Sequence, residues 1–177
     1  MNFSELVQSR RSVRSYLPGK TVENEVIEEI LKAAQLAPSW KNSQTARCYV
    51  ASSPEMLAAV RVCLPAFNQN SSKNACALIV TAFVKGQAGF TAGQPDNELA
   101  DGWGAYDLGL QNAYLILKAR DVGLDTLIMG LRDADALRSL LGIPETEEIA
   151  AVLALGYRDG EPAFRPRKDL SEIARFF

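Results

Sequence analysis

Residues 77–84 read ALIVTAFV, and this stretch decides the fold. Apart from Thr81 it is apolar throughout, and β-branched and aromatic side chains are frequent in it. An apolar run of this length is typical of a strand that is buried on both faces. Similar stretches predict three further strands, at residues 46–51, 126–129 and about 149–155. The sequence therefore predicts a sheet that is covered by helices on both sides.

The helices are predicted from apolar residues that recur three and four positions apart. One of them, apolar nearly all the way round between Leu108 and Leu117, is predicted to be central and buried. Residues 85–104 before it are rich in glycine and polar residues, and they predict a long loop. The other predicted helices run from a capping box at Asn2 and Glu5 up to Arg10, from Thr21 to about Pro38, from Pro54 to about Val62, from Asp133 to Leu141, and briefly near the C-terminus.

Two common nucleotide-binding architectures do not fit this sequence. Strands and helices do not alternate strictly, and no G-x-G-x-x-G motif follows a strand, which argues against a Rossmann unit. The Walker phosphate loop is absent as well.

Length and charge restrict the function further. The chain has 177 residues, 47% of them hydrophobic, which suits a single domain with an ordinary core. Its net charge of −2 offers no basic field for nucleic acid or a membrane surface, and no segment is long and apolar enough to span a bilayer. The start of the chain lacks the pattern of a signal peptide, so we expect a cytoplasmic protein.

The chain contains no histidine, which removes the usual nucleophile pairs, zinc sites and non-haem iron sites. Its three cysteines, Cys48, Cys63 and Cys76, show no C-x-x-C spacing and are predicted to be buried, reduced thiols. No metal site is predicted. If the protein is an enzyme, a bound organic cofactor is the natural carrier of its chemistry.

Two basic clusters lie near opposite ends of the chain. Arg10, Arg11, Ser12 and Arg14 offer three guanidinium groups and a hydroxyl, which match a phosphate group well. A second cluster around residues 165–168 lies between prolines and a short final helix. Either cluster alone would usually be solvated surface charge. The phosphate hypothesis becomes stronger if the two clusters meet in space.

The segment at residues 37–44 reads APSWKNSQ. Asn42 and Gln44 each carry one acceptor and two donors, which suit the alternating donors and acceptors on the edge of a pyrimidine-like ring. The alternative is an ordinary hydrogen-bonded turn between a helix and a strand.

Taken in order, these motifs resemble the FMN-dependent nitroreductase family. The likeness rests on the RRSVR start, the APSxxNxQ turn, and three later segments that read DLGLQNA, GLDTLIMG and LGY (residues 107–113, 123–130 and 155–157). It extends over nearly the whole chain. One departure is Thr45-Ala46-Arg47, which stands where many relatives have a Pro-Trp pair.

The resemblance implies an α+β fold with a central, mostly antiparallel sheet flanked by helices, in an intertwined homodimer with FMN at the subunit interface. Residues 1–177 would form one domain with a mobile loop at about 85–104 and a basic C-terminal arm at about 157–177. The implied activity is ping-pong electron transfer from NADH or NADPH to an electron-poor acceptor such as a nitroaromatic or a quinone. A flavin- or nucleotide-binding protein without turnover is the alternative.

The resemblance also implies roles for individual residues. Arg10 and Ser12 would hold the flavin phosphate, with Arg11 nearby, and Arg14 would stabilise negative charge near N1 and O2 of the flavin. The remaining implied FMN contacts are Pro38, Ser39, Asn42 and Gln44 from the other subunit, Met129 and Gly130 near N5, Arg165 and Arg167 over the phosphate, and Asn70 and Lys73 by the isoalloxazine. Four aromatic residues are predicted either to stack on the acceptor or to pack against the dimer partner: Trp40, Phe90, Trp103 and Tyr106.

Overall fold

The computed structural model describes residues 1–177 and contains a four-stranded antiparallel sheet as its centre. The strands lie in the order β1-β2-β6-β5, and a separate two-stranded hairpin is formed by β3 and β4. The strands are β1 (Ala46–Ala51), β2 (Ala77–Val84), β3 (Phe90–Thr91), β4 (Gln94–Pro95), β5 (Asp125–Met129) and β6 (Glu147–Gly156). The antiparallel pairing confirms the predicted sheet.

Seven α-helices surround the sheet, and the longest is the predicted apolar helix. They are α1 (Phe3–Ser9), α2 (Asn24–Ala34), α3 (Pro54–Val62), α4 (Ala66–Ser71), α5 (Gly102–Asp121), α6 (Ala134–Leu141) and α7 (Leu170–Ile173). A short 3-10 turn at Trp40–Asn42 precedes β1. No helix is long and apolar enough to cross a membrane.

Several predicted bounds are confirmed and others are corrected. β1, β2 and α3 have the predicted limits, and the capping box of Asn2 and Glu5 begins α1. α2 begins at Asn24 rather than Thr21, because the extended backbone of Glu23 precedes the first helical turn. The predicted 85–104 loop contains the β3-β4 hairpin, and its last residues belong to α5.

The sheet separates two apolar cores, because neighbouring residues of β2 point to opposite faces. Leu78 and Val80 pack with residues of α3 and α6 on one face. Ile79 packs with residues of α2 and α5 on the other face. The four residues of β2 at positions 77–80 are fully buried, which confirms the interpretation of the ALIVTAFV stretch.

α5 differs from its prediction, because only one side of it is buried in the single chain. Leu108, Leu115 and Ala119 lie in the interior, whereas Tyr106 and Tyr114 are 59% and 43% exposed. Apolar residues therefore remain on the solvent side of the helix. Such a face is suited to contact with a second protein surface.

The two segments that flank the sheet carry the predicted binding motifs. The backbone of residues 12–13 extends the sheet beyond β5, where Ser12 forms a parallel bridge with Thr126 and the Val13 N–H donates to the Thr126 carbonyl at 3.0 Å. The 38–44 turn enters β1 at the opposite edge. The 12–13 segment and the 38–44 turn are therefore separated by the whole width of the sheet.

Candidate functional site

The N-terminal arginines follow the end of α1 and are held by backbone hydrogen bonds. The Arg10 N–H donates to the Leu6 carbonyl at 3.1 Å, and the chain then becomes extended. Val13 is buried in the core, so Ser12 and Arg14 on either side of it are exposed. The alternation of an extended segment thus presents the hydroxyl and a guanidinium to solvent.

The C-terminal arm brings the second basic cluster to the first. The Phe164 ring lies between two guanidinium groups, 5.1 Å from that of Arg11 and 5.9 Å from that of Arg167. Burial lowers the pKa of Arg10, and the positive charges of Arg167 and Arg11 lower it further. The two clusters therefore meet, which strengthens the phosphate hypothesis.

These arginines share one property, which is the lack of an acidic partner. No ion pair within 4.0 Å involves Arg10, Arg11, Arg14, Arg165 or Arg167. Among residues 165–168, only Lys168 has a carboxylate neighbour, at 3.7 Å from Glu172. Like charges that are gathered on one surface without counter-charges favour an anion as their ligand.

A buried ion-pair network anchors the root of the arm, and sequence reasoning missed it. The Asp125 carboxylate is paired with Arg158, at 2.8 Å and 3.2 Å, and with Arg120 at 3.2 Å. The Leu17 N–H donates to the Tyr157 carbonyl at 2.9 Å beside it. The available signal was an acidic residue at the start of an otherwise apolar strand, which needs a buried partner.

The 38–44 turn has an unusual backbone. Lys41, Asn42 and Gln44 adopt φ values of +47°, +55° and +49°, a region that side-chain-bearing residues rarely occupy. The Ser39 Oγ accepts from the Gln44 N–H at 3.0 Å, and the Gln44 side chain donates to the Asn42 Oδ1 at 3.2 Å. Clustered left-handed residues of this kind are typical of functional sites.

α5 supports this turn through a buried carboxylate. The Asp107 Oδ2 accepts from the Trp40 N–H at 2.9 Å, and burial raises the pKa of Asp107. Asp107 is the first residue of the DLGLQNA motif, and its role there is to accept the hydrogen bond from the 38–44 turn.

Three buried polar atoms in this region have no hydrogen-bond partner within the chain. They are the Trp40 Nε1, the Ser43 Oγ and the Thr45 Oγ1. Buried polar groups are normally satisfied, so this concentration within six residues indicates a missing ligand or partner surface. Thr45 lines a cavity of about 390 Å³, together with Pro38, Ser39, Gln44, Asp107 and Gln111 among others.

Three of the four predicted aromatic residues lie together. The rings of Trp40 and Trp103 are 4.5 Å apart, and those of Trp103 and Tyr106 are 5.6 Å apart. Phe90 lies in β3 opposite Pro95 and is not part of this stack. The stack presents one exposed ring, that of Tyr106.

The segment after β5 meets α4, which the sequence did not predict. The Met129 side chain is buried in the core, whereas Gly130 is exposed. The Asn68 amide donates to the Leu131 carbonyl at 3.0 Å and so holds α4 against this segment. Two residues predicted to bind the cofactor, Asn70 at the end of α4 and Lys73 just after it, are exposed.

Arg47, where the chain departs from many relatives, has a partner of its own. Its Nε lies 3.8 Å from the buried Glu147 carboxylate, which also accepts from the Tyr49 hydroxyl at 2.7 Å. Burial and this acidic neighbour raise the pKa of Tyr49 to about 12. The unusual charge therefore compensates a buried carboxylate.

The prediction for the cysteines needs one correction. All three thiols are free, but only Cys76 is buried, whereas Cys48 and Cys63 are partly buried. Burial raises the pKa of Cys48 to about 11, so its thiol is protonated at neutral pH. The chain contains no group of three or more side chains that could hold a metal ion.

A single chain brings together the two arginine clusters, but it does not bring them to the 38–44 turn. The arginines lie beyond β5 and the turn lies before β1, at opposite edges of the sheet. Each chain thus carries two separate halves of the predicted site.

Comparison with known proteins gives the relationship of this chain to others. A family model described as the nitroreductase family matches residues 7–157. A protein of Archaeoglobus fulgidus with the provisional name NADH dehydrogenase/NAD(P)H nitroreductase is 31% identical over 173 residues, covering 93% of this chain and 90% of its own.

Two solved structures support the fold. A provisionally named nitroreductase from Exiguobacterium sibiricum, in complex with FMN, has a TM-score of 0.87 at 23% identity and covers 100% of this chain and 98% of its own. A provisionally named NAD(P)H:FMN oxidoreductase from Staphylococcus epidermidis has a TM-score of 0.86 at 20% identity and covers 100% and 97%. The family match and the Archaeoglobus relative confirm the predicted resemblance, and the chain belongs to the nitroreductase family.

Proposed function

We propose that the protein is an FMN-dependent oxidoreductase that takes electrons from NADH or NADPH and passes them, in ping-pong order, to an electron-poor acceptor such as a nitroaromatic or a quinone. The observation that carries the proposal is that Arg10 and Arg11 meet Arg167, from the other end of the chain, without an acidic partner. A phosphate dianion would supply the missing negative charge.

The residues present fit FMN at both of its polar ends. Arg10, Arg11, Ser12 and Arg167 offer guanidinium groups and a hydroxyl for the phosphate. Arg165 lies in the same arm and would add to this positive charge. Arg14 is exposed on the same segment and would place positive charge at the pyrimidine end of the ring.

The 38–44 turn would bind the edge of the ring system. Asn42 and Gln44 are exposed and carry donors and acceptors, and the unsatisfied Ser43 and Thr45 hydroxyls lie beside them. Pro38 and Ser39 shape the adjoining cavity. The hydrogen bonds from Gln44 to Ser39 and Asn42 hold this arrangement before any ligand binds, which reduces the entropic cost of binding.

The exposed backbone at Gly130 and the side chains of Asn70 and Lys73 would lie beside the isoalloxazine ring. When it is bound, FMN supplies a ring that accepts a hydride and releases electrons to a second substrate. The protein needs no histidine for this chemistry, because its own residues bind the cofactor, orient it and complement its charge.

We infer that the working unit is a homodimer with two sites at the interface. The two halves of the site lie at opposite edges of one sheet, so a second copy is needed to join an arginine cluster to a turn. The exposed aromatic face of α5, which includes Tyr106 and Tyr114, offers an apolar surface for that contact.

The aromatic stack would form a wall of the acceptor site. The exposed Tyr106 ring, packed against Trp103 and through it against Trp40, presents a flat apolar surface that suits a planar, electron-poor ring. Phe90, in the neighbouring β3-β4 hairpin, would lie at the edge of this wall.

Steady-state kinetics test the proposal. With FMN bound, double-reciprocal plots at several fixed concentrations of a quinone should give parallel lines for NADH or NADPH. Intersecting lines would reject ping-pong order. A protein that binds FMN but shows no turnover with either nicotinamide would instead be a flavin-binding protein without catalytic activity.

A further inference from the structure

The hairpin segment, residues 86–101, is an ordered unit with its own internal hydrogen bonds. The Asp101 Oδ1 accepts from the Gly86 N–H at 2.6 Å, which joins the two ends of the segment. The Asp96 N–H donates to the Gly89 carbonyl at 2.7 Å across it. The segment is therefore a compact unit whose shape is held by its own hydrogen bonds.

One side chain connects this segment to the 38–44 turn. The Lys41 Nζ donates to the Thr91 Oγ1 at 2.8 Å and to the Asp96 Oδ2 at 3.2 Å. Lys41 is itself one of the left-handed residues of the turn, with φ at +47°. The backbone that shapes the turn thus also carries the lysine that contacts the hairpin.

The connection lies beside the aromatic stack. The Lys41 ammonium is 5.7 Å from the centre of the Trp40 ring, and Trp40 is stacked on Trp103. The Trp103 Nε1 donates to the Asn97 Oδ1 at 2.9 Å, which ties the stack to the hairpin segment. A Cβ at Gly89 would lie 2.5 Å from the Trp103 ring, so the hairpin packs tightly on it.

We propose that Lys41, through Asp96 and Thr91, holds the hairpin segment against the 38–44 turn and so sets the size of the acceptor that reaches the flavin. Lys41 is in this view a positioning residue that determines specificity. The proposal rests on the proposed function, because it concerns the acceptor of that same site.

The ion pair is suited to this role because it is partly exposed. The side chain of Lys41 is 62% exposed and that of Asp96 is 23% exposed, so the pair is too weak to determine the fold. Its loss should loosen the hairpin at Thr91 and Asp96, while the Asn97–Trp103 hydrogen bond and both cores stay intact. A wider acceptor site should then favour large acceptors over small ones.

The test compares the variants Lys41→Met, Asp96→Asn and the double variant with the wild type, all loaded with FMN. For each, kcat/KM is measured with a small acceptor, 1,4-benzoquinone, and a large one, anthraquinone-2-sulfonate. The ratio of kcat/KM for the large acceptor to kcat/KM for the small one should rise about five-fold in either single variant, mainly through KM. It should rise no further in the double variant. Lys41→Arg should keep the wild-type ratio.

A matched control and a second readout complete the test. Lys32→Met removes an exposed lysine from another ion pair, with Glu28, and should leave the ratio unchanged. The near-ultraviolet circular dichroism of the Trp40–Trp103 pair should weaken in Lys41→Met and not in Lys32→Met, with or without FMN.

If the wild type is active and Lys41→Met and Asp96→Asn both keep its ratio, the proposal is overturned and the proposed function stands. Equal loss of kcat/KM for both acceptors, or loss of FMN affinity, would show a merely structural role and would overturn it too. A wild type that reduces neither acceptor would overturn the proposed function and this inference together.

Discussion

Asp125 and Arg158 form a two-pronged ion pair, in which the Arg158 Nε lies 2.8 Å from the Asp125 Oδ2 and the Nη2 lies 3.2 Å from the Oδ1. Asp125 begins β5 and is 2% exposed, whereas Arg158 begins the C-terminal arm. Arg120 at the end of α5 shares the same carboxylate. This buried acid, together with the backbone bonds from Leu17 to Tyr157 and from Asp159 to Ser15, therefore anchors the start of the arm that carries Arg165 and Arg167.

Removing that acid should destabilise the fold. Asp125→Asn leaves two guanidinium groups next to a neutral amide, and we expect the free energy of unfolding to fall by about 3 kcal/mol. Urea denaturation measures the change. Glu161→Gln is the matched control, because Glu161 also pairs with Arg158 but is 88% exposed, and its loss should be below about 1 kcal/mol. Similar losses for both variants would contradict the assignment of Asp125 as the anchor.

Arg10→Ala should weaken FMN binding by about 1.5–3 kcal/mol, because a charge-assisted hydrogen bond to the phosphate would be lost. Titration of the apoprotein with FMN, followed by quenching of flavin fluorescence, measures this. Arg175→Ala removes an exposed arginine that is outside the cluster and should bind FMN as the wild type does. Unchanged FMN affinity in Arg10→Ala would mean that the arginine cluster is ordinary surface charge.

The interface proposal can be tested by complementation. Arg10→Ala and Gln44→Ala affect opposite halves of the site, and each homodimer should lose FMN and activity. In a refolded equal mixture, half the dimers are mixed and each of these has one intact site, so about a quarter of the wild-type activity should return. A site built within one chain predicts no recovery, and that result would reject the shared interface.

Alkaline pH should reveal the environment of Cys48. Its pKa is about 11 in the folded chain, above the ordinary value near 9, because burial disfavours the thiolate. The unfolded chain releases the proton first as pH rises, so the folded state binds more protons and stability falls between about pH 9 and 11.

Urea denaturation at pH 8 and pH 11 should therefore show a larger loss for the wild type than for Cys48→Ala. The difference between the two losses should be at most about 2 kcal/mol. Equal losses would mean that the Cys48 thiol titrates as it does in water.

Local sequence patterns predicted most of the fold. The apolar run of β2 and the Pro54 start of α3 lead to the observed bounds, because periodicity and proline geometry act within a few residues. The short helix α4 was missed, since its sequence AFNQNS has no apolar stripe and its buried contact is the polar Asn68. Tertiary packing against Leu131, rather than propensity, places that helix.

The sequence predicted which residues belong to the candidate site, but not which of them contact one another. The arginines, the 38–44 turn and the aromatic residues are visible in the sequence as chemical types. Their relations are not, since Phe164 meets Arg11, Lys41 meets Asp96 and Asp125 meets Arg158 only after folding, across separations that local patterns do not determine. The sheet order likewise decides that arginines and turn lie apart in one chain.

The central claim is that this chain holds FMN and reduces it with a nicotinamide. The most direct measurement is the visible spectrum of the purified protein under anaerobic conditions. The absorption band of bound flavin at about 450 nm should bleach when NADH or NADPH is added and return when a quinone is then added. A colourless protein that fails to take up added FMN, or a bound flavin that neither nicotinamide bleaches, would contradict the account.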